Sequence, residues 1–323
     1  MEKKVAGCVS SFLSIMRKVI GIGETILDII FENEQPQRAV VGGSVLNGLV
    51  SLSRLGVPVT FISEIGDDRV GGIVCDFLHD SGIDTTYVSK LHGHKTPVSL
   101  AFLGADKSAD YVFHTDYPEK RLNIPVPEIN EDDIFVFGSF YALNPLLRGR
   151  FVEFLKAAKD NNALIYYDPN FRPSHKAEMS LLRDTVAENC ECATIVRGSN
   201  EDFYHLYDKT NMAEVYSEIL KPYCSSFITT HGADGVNVFA GSVNAHFDSD
   251  EIMPVSTIGA GDNFNAGIVY GLIKYDVAYR DVPFLTTDDW AKIIKCGIDL
   301  SSEVCCSYSN YVSKEFALKY KTL

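Results

Sequence analysis

The chain has 323 residues, of which 46% are hydrophobic and 22% are charged, values that are typical of a globular protein. Its 43 acidic residues outnumber its 29 basic residues and give a formal net charge of −14 at pH 7. Because a strongly acidic protein repels phosphate backbones, this balance argues against nucleic acid as a partner. No stretch of the sequence approaches the ~20 consecutive apolar residues of a membrane span, so we expect no membrane partner either.

Cysteine usage and the N-terminus indicate a cytoplasmic protein. The eight cysteines are scattered, and none of them forms a C-x-x-C pair. A chain of this length does not need disulfides to bury a core, so we expect reduced thiols. Only four residues precede "VAGC" near the N-terminus, which leaves no room for the apolar core of a signal peptide. We interpret residues 1–16 as an N-terminal extension, either disordered or the product of a misassigned start, and 17–323 as one domain.

Short apolar runs predict buried strands, and helical periodicity appears between them. The first run, "KVIGIG" (18–23), is followed by a helix predicted over 42–56 that ends in glycine. The other predicted strands are 59–66, 133–139, 163–168, 193–198 and 226–230. The other predicted helices are 70–82, 145–160, 178–189 and 211–221. Apolar strands that alternate with helices predict an α/β fold whose mostly parallel sheet is covered on both faces.

One region departs from this alternation. Segments 96–104 and 109–117 are both strand-like, and only the turn residues "ADKS" separate them, which predicts a hairpin. Together with an excursion over 28–41, the segment 96–117 is expected to form a small sheet that acts as a lid beside the main domain. Because bare sheet edges invite pairing, a homodimer joined through the lid is a further prediction.

Small residues surround an acid at one predicted helix start. In "STIGAGDNFNAG" (256–267), the residues Gly259, Ala260 and Gly261 precede Asp262, where a helix is predicted to begin. Unpaired amides and the helix dipole at such a start attract anions. Glycine and alanine allow the anion to come close to the backbone.

Two interpretations of Asp262 are open at this point. Aspartate is a favoured N-cap, so the residue can serve its own helix alone. That interpretation does not account for the small residues on both sides of the acid. A carboxylate next to an anion site is electrostatically unfavourable unless it has a chemical task, such as taking the proton from an attacking hydroxyl. The bare flanks therefore favour a catalytic base.

Several motifs resemble one enzyme family. "STIGAGDNFNAGIVYGL" is similar to the C-terminal signature of the ribokinase-like carbohydrate kinases, also called the phosphofructokinase-B type. "VVGGSVLNGLVSLSRLG" resembles the Gly-Gly-x-x-x-Asn helix of that family, and "YYDPNFRP" is similar to a segment of its fructokinase and 2-keto-3-deoxygluconate kinase branches. The resemblance extends from residue 17 to about residue 310. It implies a three-layer sandwich with a mostly parallel central sheet and a small β-sheet lid.

The resemblance also implies an activity and a set of site residues. The implied enzyme is an ATP-dependent sugar kinase in which Asp262 deprotonates the acceptor hydroxyl. The transferred phosphoryl group would be held by the amides of Gly259, Ala260 and Gly261. The positions that resemble the family's sugar contacts are Asp28, Gly43 and Asn47. The positions assigned to the nucleotide are Thr230, Gly232, Gly235 and Asn265.

Two further charged residues are assigned by the resemblance. Arg172, in "YYDPNFRP", either faces an acidic substrate or phosphate or pairs with Asp168, and both readings stay open. Aligning "GSNEDF" (198–203) from Ser199 places Asp202 where the family has a magnesium-related acid, and we favour this register. Aligning it from the next residue places a phenylalanine there. Such a carboxylate would organise waters around Mg²⁺ that is bound mainly by nucleotide phosphates.

The sequence also departs from the family pattern. Ser256 replaces an acid that helps to hold an activating monovalent cation, which puts that activation in doubt. The segment 301–311, "SSEVCCSYSNY", lacks the usual Gly-Ala pair. A nucleoside kinase of the same fold and a catalytically silent sugar or nucleotide sensor are therefore alternatives. Ser256 and the irregular "GSNEDF" segment favour the sensor, whereas Asp262 favours the enzyme, since a pure binder needs no base.

Overall fold

The computed structural model describes residues 17–104, 109–171 and 178–322. Residues 1–16 lie outside the described residues, so the predicted extension is not tested. The strands, in chain order, are β1 (Val19–Ile22), β2 (Ile26–Glu32), β3 (Gln35–Gly42), β4 (Val59–Gly66), β5 (Val88–Leu91), β6 (Val98–Leu103), β7 (Ala109–His114), β8 (Ile134–Gly138), β9 (Leu164–Asp168), β10 (Ile195–Ser199), β11 (Ser226–Thr230), β12 (Val236–Ala240) and β13 (Val243–Phe247).

The helices predicted over 42–56, 70–82, 145–160 and 178–189 are present within three residues of their predicted bounds, whereas Asn200–Tyr207, Thr287–Cys305 and Lys314–Tyr320 were not predicted as helices. The described residues form nine α-helices. They are α1 (Ser44–Arg54), α2 (Arg69–Asp80), α3 (Pro145–Asp160), α4 (Met179–Cys192), α5 (Asn200–Tyr207), α6 (Met212–Glu214), α7 (Ala260–Lys274), α8 (Thr287–Cys305) and α9 (Lys314–Tyr320). The helix predicted over 211–221 is instead the short α6 followed by a π-helical turn, Val215–Leu220. In the part of the chain that the structure describes, no helix is long and apolar enough to cross a membrane.

Nine strands form the main sheet, in the order β13-β12-β11-β10-β9-β8-β1-β4-β5. The pairs from β11 through β5 are parallel. Strands β12 and β13 extend one edge in antiparallel fashion. The six strands predicted for this sheet are confirmed, whereas β5, β12 and β13 were not predicted. The mostly parallel sheet of an α/β fold is therefore confirmed.

Both faces of the sheet are covered by an apolar layer. On one face, side chains of α1, α2, α7 and α8 form a core with inward residues such as Val19 and Phe61. On the other face, α3, α4 and α5 pack against residues such as Ile20 and Phe135. Alternate residues of one strand thus enter different cores, which is why these strands read as continuous apolar runs. The result is the expected three-layer sandwich.

The lid is a separate four-stranded sheet in the order β3-β2-β6-β7. Strands β6 and β7 form the predicted hairpin, and β2 pairs with β6 in parallel, so that Asp28 lies opposite Ser99. Val112 and Phe113, on the outermost strand β7, are 44% and 59% exposed. These exposed side chains are compatible with lid-to-lid association, and the homodimer stays a prediction.

The middle of α7 packs closely against α8. A Cβ on Gly267 would lie 2.2 Å from the carbonyl oxygen of Cys296 and 2.5 Å from the Cα of Gly297. By contrast, a Cβ on Gly149 in α3 would meet nothing within 4 Å. Only the first glycine is therefore required by a close helix–helix approach.

We predict that Gly267→Ala lowers the free energy of unfolding by about 2 kcal/mol or more, because α7 and α8 must separate to admit the methyl group. The matched variant Gly149→Ala should be neutral or stabilise by up to about 1 kcal/mol, since alanine favours an exposed helix interior. Urea unfolding followed by circular dichroism measures both. Equal effects of the two variants would contradict the packing argument.

Candidate active site

The candidate site lies at the carboxyl ends of neighbouring parallel strands. Asp168, Ser199 and Thr230 are the last residues of β9, β10 and β11. In open α/β sheets, ligands bind in the crevice outside these strand ends. Helices α1 and α7 both begin at this edge and contribute side chains to it.

Helix α7 begins two residues earlier than predicted. Its N-cap is Gly259, whose φ of 79° lies in the left-handed region, and Asp262 is the third helical residue. A Cβ on Gly259 would also lie 2.8 Å from the carbonyl oxygen of Asn310. Since the cap position belongs to Gly259, the interpretation of Asp262 as an N-cap is wrong. The amide of Ala260 donates to the carbonyl oxygen of Thr257 at 3.2 Å, which closes the turn before the helix.

The carboxylate of Asp262 is oriented by side chains at the start of α1. Ser44 Oγ donates to Oδ1 at 2.9 Å, and Asn47 Nδ2 donates to Oδ2 at 2.8 Å. The side-chain amide of Asn170 in turn donates to Ser44 Oγ at 2.9 Å. Because these donors come from two other segments, the orientation of Asp262 depends on the tertiary structure and not on its own helix.

Two cavities flank this carboxylate. A small cavity of about 20 Å³ is lined by side chains that include Ser44, Asp168, Asp262 and Asn265. A wide cavity of about 460 Å³ is lined by residues of β10, the loops after β11 and β13, the start of α7 and the C-terminal half of α8. Ala260 and Gly261 line the wide cavity, whereas Asp262 lines the small one. Asp262 therefore stands at the boundary between the two.

The residues predicted to contact the nucleotide divide between these cavities. Thr230, Gly232 and Gly235 all line the wide one. Gly235 has a φ of 95°, and a Cβ there would lie 2.3 Å from the carbonyl oxygen of Phe247, so glycine is required. Asn265, in contrast, lines the small cavity. The structure thus separates Asn265 from the other three residues.

Arg197 is a site residue that the sequence reasoning missed. Its side chain is 7% exposed, and NH1 donates to Asp168 Oδ2 at 2.8 Å while NH2 donates to Thr230 Oγ1 at 2.6 Å. A Cβ on Gly261 would lie 3.2 Å from NH1, so the guanidinium lies directly against the bare start of α7. Burial alone lowers the pKa of Arg197, but the Asp168 carboxylate raises it above the ordinary value. An arginine within the apolar run "ATIVRG" was the available signal, since a buried charge needs a partner.

Asp168 is the centre of a buried polar network. Besides Arg197, its Oδ2 accepts from Asn265 Nδ2 at 2.6 Å, and its Oδ1 accepts from the amide of Asn170 at 3.0 Å. The hydroxyl of Tyr166 donates to Asn265 Oδ1 at 3.0 Å. Asn265 and Asp168 thus form one hydrogen-bonded part of the wall of the small cavity. Arg172, the other candidate partner of Asp168, lies outside the described residues.

Asp202 lies at the start of α5. Its Oδ2 accepts from the amide of Ser199 at 2.7 Å and from Ser199 Oγ at 2.8 Å, while Oγ accepts from the Asp202 amide, which completes a capping box. Burial, and then the charge of Asp168, raises the pKa of Asp202 above the ordinary range. Among the described residues, no group of three or more His, Cys, Asp or Glu side chains is arranged to hold a metal ion.

The residues predicted to contact the sugar lie around the start of α1. Asp28 accepts a hydrogen bond from Ser99 Oγ of the lid through Oδ1. Gly43 is the N-cap of α1, and a Cβ there would lie 2.2 Å from the carbonyl oxygen of Glu24. The structure thus brings Asp28, Gly43 and Asn47 to the same side of the site as Asp262. Gly42, the residue before Gly43, was not predicted as a site residue, but its backbone also faces the side chains of Asp28 and Asn47.

Comparison with known families identifies the family of the chain. The pattern described as pfkB family carbohydrate kinase matches residues 16–315. The chain belongs to this family. As a member of the pfkB family it is a carbohydrate kinase, a transferase that acts on a sugar hydroxyl.

Relatives within the pfkB family share about a quarter of their residues with this chain. A fructokinase of Vibrio alginolyticus is 26% identical over 263 residues, which cover 80% of this chain and 85% of that protein. An aminoimidazole riboside kinase of Salmonella typhimurium is 24% identical over 264 residues, which cover 81% and 83%.

Solved structures of the family share the fold. Aminoimidazole riboside kinase of Salmonella enterica, complexed with aminoimidazole riboside and an ATP analogue, matches with a TM-score of 0.80 and 21% identity, over 94% of this chain and 99% of that chain. A fructokinase of Vibrio cholerae with bound fructose, ADP and calcium matches with a TM-score of 0.79 and 20% identity, over 91% and 94%. The ribokinase-like fold class is therefore confirmed.

The buried pair Arg197–Asp168 yields a stability prediction for this pfkB family member. Arg197→Met should lower the free energy of unfolding by about 3 kcal/mol, because Asp168 is left as a buried charge without its cation. The matched variant Arg280→Met breaks an exposed pair with Glu131 and should cost less than about 1 kcal/mol. Denaturant unfolding at pH 7 compares the two. Similar small losses in both would show that the Asp168 charge does not depend on Arg197.

Proposed function

We propose that the protein transfers the γ-phosphoryl group of ATP to a hydroxyl of a small carbohydrate, with Asp262 as the general base. The observation that carries the proposal is the position of Asp262 between two cavities. Its carboxylate is oriented by Ser44 and Asn47, while the two residues before it line the wide cavity. The small cavity has room for about one water molecule, so the acceptor would lie against Asp28, Gly43 and Asn47 and would meet the nucleotide at Asp262.

The wide cavity has features that suit the phosphates of a nucleotide. It holds the start of α7, where Ala260 and Gly261 present little side chain and the helix dipole favours an anion. Arg197 is the only cationic side chain among the described residues that line it. The long Ala260–Thr257 hydrogen bond would be exchanged for a charge-assisted bond to a phosphoryl oxygen. Preorganised donors of this kind stabilise the charge that develops during transfer.

The proposed reaction is an in-line displacement. The acceptor hydroxyl oxygen forms a bond to the γ-phosphorus, the bond from that phosphorus to the β,γ-bridging oxygen breaks, and the hydroxyl proton passes to Asp262. A carboxylate offers about four lone-pair sites, so the bonds from Ser44 and Asn47 leave capacity for this hydroxyl. Closure of the four-stranded lid over the acceptor would exclude water and limit ATP hydrolysis.

Mg²⁺ would be held mainly by the nucleotide phosphates. Among the described residues, no three or more carboxylate, histidine or cysteine side chains are grouped to hold an ion, which suits an ion that keeps several waters. When bound, Mg²⁺ neutralises charge on the phosphoryl oxygens. Asp202 would contact the ion through water, because its carboxylate already accepts two hydrogen bonds from Ser199.

We infer the chemical class of the acceptor from the substrates of the relatives and from the side chains of the site. Fructokinases act on fructose, and the aminoimidazole riboside kinase relative favours a ribonucleoside-like acceptor as a second candidate. A panel of neutral sugars, sugar acids and nucleosides with coupled ADP detection separates these classes. Ligand binding without ADP release would instead support a sensor.

Asp262→Asn should lower kcat by at least ~10²-fold, because the amide cannot accept the hydroxyl proton. The KM values for ATP and acceptor should change little, since the shape of the site is kept. Asp289→Asn is the matched control, because Asp289 is likewise the third residue of its helix but forms only a capping box with Thr286. Steady-state kinetics of both variants give the test. Near-normal turnover of Asp262→Asn would refute the assigned role.

Asp202→Asn should raise the Mg²⁺ concentration needed for half-maximal activity by about tenfold, a typical effect of losing an outer-sphere partner.

Folding should not suffer. The raised pKa of Asp202 means that the native state loses stability as the pH rises above about 4, where the unfolded carboxyl ionises. In Asp202→Asn, the free energy of unfolding should therefore fall less as the pH rises. Magnesium titrations of activity and unfolding at several pH values check both parts, and an unchanged Mg²⁺ requirement would leave Asp202 with only its capping role.

A further inference from the structure

Three polar groups converge on the bare backbone of Gly42. A Cβ added to Gly42 would lie 2.9 Å from Asp28 Oδ2, 3.5 Å from Asn310 Nδ2 and 3.7 Å from Asn47 Oδ1. These atoms come from strand β2 of the lid, from the loop after α8 and from helix α1. Because glycine has no side chain, no Cβ stands between the three groups.

Two of these groups are buried amides, and one has an unmet hydrogen-bonding need. Asn47 is 6% exposed and Asn310 is 5% exposed. The Nδ2 of Asn47 donates to Asp262, but its buried Oδ1 has no hydrogen-bond partner among the described residues. Leaving a buried acceptor unsatisfied is unfavourable. A ligand hydroxyl next to Asn47 Oδ1 can therefore supply the missing donor.

The loop that carries Asn310 is held against the start of helix α7. The carbonyl oxygen of Asn310 accepts from Asn263 Nδ2 at 2.8 Å and packs against Gly259. The amide of Val312 donates to Ser51 Oγ at 3.1 Å, and Ser51 also donates to Asn263. The side chain of Asn310 is thus presented by a backbone that touches the predicted phosphate cradle on one side and the acceptor site on the other.

The chemistry of the three groups selects a particular ligand group. Asp28 and Asn47 present acceptor oxygens, and Asn310 presents an N–H donor. A hydroxyl can donate its proton to one acceptor and accept from the amide, whereas a carboxylate or phosphate of the ligand would be repelled by Asp28. Among these three side chains there is no cation to offset that repulsion.

We propose that Asn310 is a specificity-determining residue for the acceptor, and that its side-chain amide donates to an uncharged hydroxyl of a neutral polyol that also binds Asp28 or Asn47. The proposal rests on the proposed function and identifies its substrate class. Asn310 lies in the segment 301–311, which lacks the Gly-Ala pair of the family pattern.

The test compares Asn310→Ala and Asn310→Asp with the wild-type enzyme. Asn310→Asp keeps the size of the side chain but replaces the donor with a carboxylate oxygen and adds a negative charge near Asp28, so its loss should be at least as large as that of Asn310→Ala. Both variants should raise the KM for the neutral acceptor by about tenfold, as expected for one lost hydrogen bond. The KM for ATP should stay within about twofold. Asn244→Ala, at an exposed asparagine of β13, is the control and should leave all constants unchanged.

Monodeoxy analogues of the best acceptor identify the hydroxyl. One analogue should lose about tenfold in kcat/KM with the wild-type enzyme but little with Asn310→Ala, because the hydrogen bond is already absent. A purely structural role for Asn310 would not produce this selective loss. Thermal unfolding of each variant establishes that the fold is retained, and the isosteric Asn310→Asp gives the answer if the alanine variant does not fold.

The outcomes separate this inference from the proposed function. Unchanged acceptor KM in both variants, or equal losses for every deoxy analogue, overturns the role of Asn310 while leaving the kinase proposal intact. Calorimetric binding of a neutral polyol that weakens in the variants, without any ADP release, supports the role of Asn310 and overturns the kinase proposal. Wild-type protein that neither binds nor phosphorylates any neutral polyol in the panel overturns both.

Discussion

The start of helix α7 meets the start of helix α1, and Asp262 is the residue that joins them. Ser44 and Asn47 of α1 donate to its carboxylate. A Cβ on Gly48 would lie 3.0 Å from the carbonyl oxygen of Asp262, so the two backbones approach closely. This contact holds the proposed base at the boundary of two cavities. Any displacement of α1 against α7 would move the base, the acceptor groups and the bare phosphate-facing turn relative to one another.

Charge is the second constraint on the site. The protein has a net charge of −14, and Asp250 and Glu251 line the wide cavity in which we place the phosphates. Arg197 offsets these charges locally, and it is kept in place by its bond to Asp168 and its contact with Gly261. Because the pair is buried, solvent and salt screen it weakly. The backbone dipole of α7 and one paired arginine would thus form the proposed anion site within an acidic protein.

Features whose signal lies in consecutive residues were mostly predicted from the sequence, whereas features that depend on distant residues were missed. The central strands were predicted because burial on both faces makes them continuous apolar runs, as "DIFVFGS" shows for β8. Strands β12 and β13 were missed although they form an antiparallel hairpin at the sheet edge. The start of α7 was predicted two residues late, because the left-handed φ of Gly259, and not the acid, ends the loop. Arg197 was missed because its role depends on Asp168, 29 positions away.

The sequence by itself determined the alternating α/β pattern, the lid hairpin, the small-residue turn before Asp262 and the family resemblance, since each is written in consecutive residues. Only the tertiary structure decided that Gly259 is the cap, that Asn265 faces the small cavity and that Arg197 pairs with Asp168. It alone brought Asp28, Asn47 and Asn310 around Gly42. The physical reason is that hydrogen bonds and ion pairs act over a few ångströms in space, and residues hundreds of positions apart come within that range only when the sheet and helices have packed.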